Sequence, residues 1–175
     1  MGFLGAKEFG FIGSGINQQV YFSGYSGSFY DTTTQTASIN TPTAMKLNTT
    51  DFASGFVIEN NVSGFPTRIK ALNNGKYNLQ FSAQFNRVSG GTAKQIDIWI
   101  RISETNVPNS NTTISVQANA DKLVASWNWF IQLNANQYVE IMWNQNDAID
   151  ILYIPEDLVI PHPATPSVIA TIVQI

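Results

Sequence analysis

The chain of 175 residues has no cysteine and a single histidine. Without thiols there is no disulfide framework, thiolate metal site or cysteine nucleophile, so cohesion must come from packing or from association. Charge is scarce too, with Asp, Glu, Lys and Arg making up 12% of the chain, about half the usual share. Nine scattered basic residues stand against twelve acidic ones, for a net charge of −3. That balance argues against nucleic acid, which is bound through clustered Lys and Arg. No apolar run approaches the roughly 18 residues of a membrane-spanning helix, so no membrane is expected as a partner. The opening MGFLGAKEFGFIGSG lacks a basic stretch followed by an unbroken apolar core, and Gly2 lacks the Ser or Thr of an acylation site; a product made in the cytoplasm and not secreted by the general route is expected.

Amides and hydroxyls replace charge: 18 Asn, 11 Gln and 15 Thr accompany a 43% hydrophobic content. Such a chain suits one well-buried domain. The clearest pattern is Gly75 to Arg87, where Tyr77, Leu79, Phe81, Ala83 and Phe85 alternate with Asn78, Gln80, Ser82, Gln84 and Asn86. A period of two marks a half-buried strand. Asn73-Asn74-Gly75, just before it, predicts a tight hairpin with the preceding run Arg68 to Leu72. Further strands are predicted at 34–39, 44–47, 55–59, 94–103, 112–116, 123–133, 137–144, 149–154 and 168–175, separated by turn-rich pieces. Only 118–124 suits a helix. Short strands at this spacing describe an all-β antiparallel sandwich of the jelly-roll type, with about ten strands.

Alternation also assigns faces. Ile96, Ile98, Ile100 and Ile102 share one side, as do Leu123, Ala125, Trp127, Trp129, Ile131 and Leu133. Trp127 and Trp129 are in phase with the aliphatic core. Trp99, between Asp97 and Arg101 on the polar side, suits either contact with a neighbour or glycan, or packing beneath a loop. The strands at 137–144 and 168–175 are apolar on both sides, which calls for cover on both sides. A neighbouring subunit is the economical second cover, so Tyr138, Met142, Ile169 and Val173 are candidate homo-oligomer contacts, together with the uncharged amide-rich face of Asn78, Gln80 and Ser82.

Residues 1–28 read as an extended arm ahead of a domain at 29–175. Seven of twelve glycines lie before Tyr30, which opposes regular helix. The interspersed Phe3, Phe9, Phe11, Tyr21, Phe22 and Tyr25 are too apolar for a solvated linker and are candidate contacts to a partner surface.

Catalytic signals are weak. His162 stands alone in Pro161-His162-Pro163, the reading of a solvated turn, and no nucleophile elbow precedes a helix. Asp147, Asp150, Glu156 and Asp157 could offer oxygens to Ca²⁺, but their spacing is irregular and no glycine permits a tight ligand loop. Neither enzymatic activity nor a cofactor or metal is expected. The N-x-S/T triplets at Asn48, Asn61 and Asn111 are read as chance in so Asn- and Thr-rich a chain.

Several stretches together carry a resemblance: GKYNLQFSAQF (75–85), IDIWIR (96–101), VPNSNT (107–112), WNWFIQLNANQYVEIMW (127–143) and PATPSVIATIVQ (163–174). This series resembles small virion proteins of tailed phages, particularly cyanophages, whose strand order is similar to the trimeric jelly roll of the tumour necrosis factor and complement globular-head superfamily. The resemblance implies a threefold trimer. It also implies a virion role, and the apolar arm points to the capsid surface, as a decoration or cement protein whose arm grips the major capsid protein or another virion protein. The alternative is a receptor-binding tip of a tail fibre that presents loops such as Asn106 to Asn111 to a host glycan. No collagen-like repeat or acidic calcium cluster of the globular heads is present to carry over.

Overall fold

The computed structural model describes residues 24–87, 90–117 and 122–175. It is all-β, with no helix among the described residues and two antiparallel sheets facing each other across one core. The strands are β1 (Ser26–Asp31), β2 (Thr43–Ala44), β3 (Thr49–Ser54), β4 (Phe56–Asn60), β5 (Pro66–Ala71), β6 (Gly75–Asn86), β7 (Lys94–Ile102), β8 (Thr105–Asn106), β9 (Thr112–Val116), β10 (Leu123–Leu133), β11 (Tyr138–Gln145), β12 (Asp150–Ile151) and β13 (Val168–Gln174). Sheet A runs β10-β6-β13-β1-β3, with β12 also pairing β6. Sheet B runs β4-β5-β11-β7-β8, with β2 on β11 and β9 on β7.

β6 is the centre of sheet A. It pairs with β10 from Leu123↔Phe85 to Leu133↔Gly75 on one side and with β13 from Val168↔Ala83 to Gln174↔Tyr77 on the other. Its five alternating apolar residues are all buried, as the period of two requires. They meet Ile96, Ile98 and Ile100 of β7 and Val139, Ile141 and Trp143 of β11 in one cluster. Phe81 stacks on Trp129, 5.1 Å between centroids, and stands edge-on to Trp127 at 4.7 Å. Both tryptophans thus pack on the core, the reading their phase predicts.

Three local expectations are corrected. The Asn73-Asn74-Gly75 turn does not close a hairpin: β5 pairs with β4 and β11 in sheet B, whereas β6 lies in sheet A, so the turn carries the chain across the core. Residues 34–39 do not form a strand. The Gln35 side chain holds that segment instead, donating Nε2 to the Lys46 carbonyl at 3.0 Å and accepting the Lys46 amide on Oε1 at 2.8 Å. Finally, β3 forms where no strand was expected, its Thr-Thr-Asp-Phe-Ala-Ser run being almost wholly exposed at the sheet edge. Of the helix candidate, residues 123–124 open β10 and 118–121 lie outside the described residues.

The start of the domain also moves. β1 begins at Ser26, ahead of the expected boundary at 29, and pairs with β13 and β3. Tyr25 already belongs to the fold: its carbonyl accepts the Gln174 amide at 2.8 Å, and its ring lies against Gly55 (φ +77°) and leaves no room for a side chain there.

Candidate functional site

The two sheets differ in how their outer faces are finished. On sheet A, cross-strand register aligns three successive rows on the solvent side. The first is Ser126, Ser82, Ile169, Tyr30 and Thr49. The second is Asn128, Gln80, Thr171, Ser28 and Phe52. The third is Phe130, Asn78, Val173, Ser26 and Ser54. None of these fifteen residues is Asp, Glu, Lys, Arg or His. Apolar side chains stand open to solvent within them: Phe130 is 70% exposed, Phe52 55%, Val173 45% and Ile169 38%. Asn128 Nδ2 donates to Asn78 Oδ1 at 2.9 Å, tying β10 to β6 on this surface. A shallow hollow of about 180 Å³ lies at its middle, lined by Gln80, Ser82, Ser126, Ile169 and Thr171 around the Phe81 backbone strand.

Sheet B is finished by charge. Glu140 of β11 is fully buried and opposes Arg101 of β7 in the ladder. Its Oε2 accepts from Arg101 Nε at 3.0 Å and Nη2 at 2.7 Å, and its Oε1 accepts from Thr67 Oγ1 at 2.6 Å. Glu104 bridges Arg101 and Arg68, and accepts the Tyr138 hydroxyl at 2.7 Å. That bond first, with the two guanidiniums after it, holds the Glu104 carboxyl below its usual range. Burial, then the same bond, pushes the Tyr138 phenol up to about 12. The Arg68 guanidinium also lies over the Tyr138 ring, 4.3 Å from its centroid. The alternation in the sequence carried no sign of this network, because it joins residues far apart in the chain through their polar faces.

These two finishes sort the expected subunit contacts. Asn78, Gln80, Ser82, Ile169 and Val173 come together on the open face of sheet A. Tyr138 and Met142 do not join them. Both lie on sheet B; Met142 is buried beside Trp99 and Ala44, and Tyr138 is held by Glu104 and Arg68. The chain itself therefore covers the second face of β11, while that of β13 stays open. Of the expected arm contacts, Tyr25 packs within the domain, and Phe3, Phe9, Phe11, Tyr21 and Phe22 lie outside the described residues.

The acidic side chains of 147–157 have separate local partners. Asp147 Oδ2 accepts from Arg87 Nη2 at 2.6 Å and Nε at 3.0 Å, and the Ala148 amide does most to lower its pKa. Burial raises that of Asp150. Asp157 Oδ1 accepts the amides of Val159 and Ile160, which lowers its pKa and fixes a turn whose tip, Leu158-Val159-Ile160, is exposed. Among the described residues no three His, Asp or Glu side chains converge to hold an ion. His162 is exposed in the same turn, its Nδ1 2.9 Å from the Pro163 carbonyl.

No protein-family model matches the chain, and no curated protein matches it. Among solved structures it is similar to murine APRIL, in crystal structures at pH 5.0 and pH 8.5. Each gives a TM-score of 0.54 and covers 87% of this chain and 100% of the APRIL chain, at 8% and 7% identity. At that identity the likeness is one of fold, and it defines the sandwich as a jelly roll of the tumour necrosis factor type.

Proposed function

We propose that this chain is a non-enzymatic structural protein that associates as a homotrimer through the open face of sheet A and serves as a decoration or cement protein on a phage capsid. The observation that carries the association is the three uncharged rows. Burying an ionised group costs several kcal/mol unless it is paired, and the fifteen residues of these rows can be buried without stranding one. Its amides offer donors and acceptors together, so two copies can satisfy each other's hydrogen bonds while Phe130, Ile169 and Val173 leave water. The threefold arrangement is supported by the resemblance to trimeric jelly rolls, and the virion role by the resemblance of 75–85, 96–101, 127–143 and 163–174 to tailed-phage proteins. A trimer also multiplies weak lattice contacts, which suits a cement.

The virion role is tested by cosedimentation of the full chain, and of a variant lacking residues 1–23, with expanded capsids. The full chain is expected to pellet with capsids and the shortened one to remain in solution as a folded trimer. Recovery of the full chain only with tail fractions, or undiminished pelleting of the shortened chain, overturns the capsid reading.

A further inference from the structure

The outer face of sheet B, opposite the uncharged rows, holds a cleft of about 340 Å³. Asp97 and Trp99 project into its wall from alternate positions of β7, and Asn144 of β11 is the cross-strand partner of Asp97. Asn106 of β8 completes it, with Val107, Asn109 and Asn111 from the loop before β9.

Three features of this cleft point to one kind of ligand. Its aromatic plate is oriented in advance: Trp99 is half-buried and its Nε1 donates to Asn106 Oδ1 at 2.8 Å. Asn111 Nδ2 likewise donates to Asp97 Oδ1 at 3.3 Å. Groups held in place before binding lose little entropy on binding. Second, Asn144 Oδ1 is buried at the cleft and accepts no hydrogen bond. A buried acceptor without a donor is costly, and turning this carboxamide toward a ligand O–H in the cleft relieves it. Third, no Lys, Arg or His lines the cleft. The nearest guanidinium along β7, Arg101, is taken up by Glu140 and Glu104.

The charge pattern disfavours phosphate, sulfate and carboxylate ligands. A hard cation is disfavoured too, because Ca²⁺ requires six to eight oxygens, several of them charged, and Asp97 is the single carboxylate here. What remains is an uncharged ligand rich in vicinal hydroxyls with an apolar flank. Each carboxamide presents a donor and an acceptor about as far apart as two neighbouring hydroxyls, and an indole face accepts the C–H side of a pyranose ring. We propose that this cleft binds a neutral saccharide unit, with Trp99 as the stacking plate and Asn106, Asn111 and Asn144 as hydroxyl partners. The site stands independently of subunit assembly. Lying on the sheet opposite the proposed subunit contact, it stays open in a trimer, which would present three copies to one polysaccharide surface.

The test uses the full chain and saturation-transfer NMR with the methyl glycosides of glucose, galactose, mannose and N-acetylglucosamine. N-acetylneuraminic acid, a sulfated heparin disaccharide and CaCl₂ serve as charged competitors. At least one neutral glycoside is expected to bind saturably in the millimolar range, undisturbed by the competitors. Trp99→Ala and Asn111→Ala should each weaken it about tenfold, the equivalent of about 1.4 kcal/mol. Asn111 is exposed, so its variant decides the matter if Trp99→Ala fails to fold. Absence of binding by every neutral glycoside, binding of charged probes alone, or undiminished binding by a folded Asn111→Ala chain would each overturn the proposal.

Discussion

Arg101 and Glu140 face each other across the β7–β11 ladder, with the glutamate carboxylate fully buried and the guanidinium reaching it through two nitrogens at 2.7 and 3.0 Å. Removing one partner of such a pair leaves an uncompensated charge and costs about 3–5 kcal/mol. Arg101→Met, which strands the fully buried Glu140 carboxylate, should therefore lower the urea midpoint sharply at unchanged slope, at fixed protein concentration. The Glu140→Met/Arg101→Met double variant should lose much less than the sum of the two single changes, because no charge is then left unpaired.

Tyr138 sets a pH limit. Its hydroxyl has an ordinary value of 10.0 and is pushed up to about 12 in the fold, so the folded state favours the protonated phenol. That stability is fully present below pH 10 and drains away as pH rises toward 12. Tyr138→Phe should flatten stability against pH across this window. Burial also raises the Tyr77 phenol, which leaves a smaller slope of the same sign in the variant. An unchanged slope would mean that Tyr138 is neither buried nor bonded to Glu104 in solution.

Gly55 and Gly64 share a left-handed backbone but not a setting. A Cβ at Gly55, φ +77°, would press into the Tyr25 ring, whereas one at Gly64, φ +84°, would meet nothing within 4 Å. Gly64→Ala should cost only the backbone strain, about 1 kcal/mol. Gly55→Ala should cost more, and should also loosen the start of β1. Amide hydrogen exchange at the Gln174 amide, which donates to the Tyr25 carbonyl, reads that loosening directly.

Which parts of this structure were legible in the sequence follows from what alternation encodes. β9 and β10 fall on their predicted bounds and β6 and β7 within a residue of theirs, and the three long ones, β6, β7 and β10, each have a continuous apolar face whose burial selects one register. β3 was invisible because an exposed edge strand needs no apolar alternation. The false hairpin at Gly75 arose because alternation says which side of a strand is buried but not which of two facing sheets it joins. Two-sided apolarity had two outcomes. In β13 it leaves Ile169 and Val173 open, while in β11 the second side is closed by the chain's own partners, among them Arg68, Arg101 and Thr67 around Glu140. The Trp99 cleft was half visible, since its tryptophan and the Asn106–Asn111 loop stood out, but Asn144 enters it only through the β7–β11 register.

Mutual burial of the uncharged rows of sheet A in a trimer is read out by sedimentation equilibrium of three proteins. The parent chain is expected at three times its 19.3 kDa mass. Ile169→Asp, which places a charge in the middle of the rows, should sediment as a folded monomer, while Val62→Asp, on a 94% exposed loop residue away from them, should remain trimeric. A parent chain that is monomeric at micromolar concentration, or an Ile169→Asp chain that stays fully trimeric, would contradict the account.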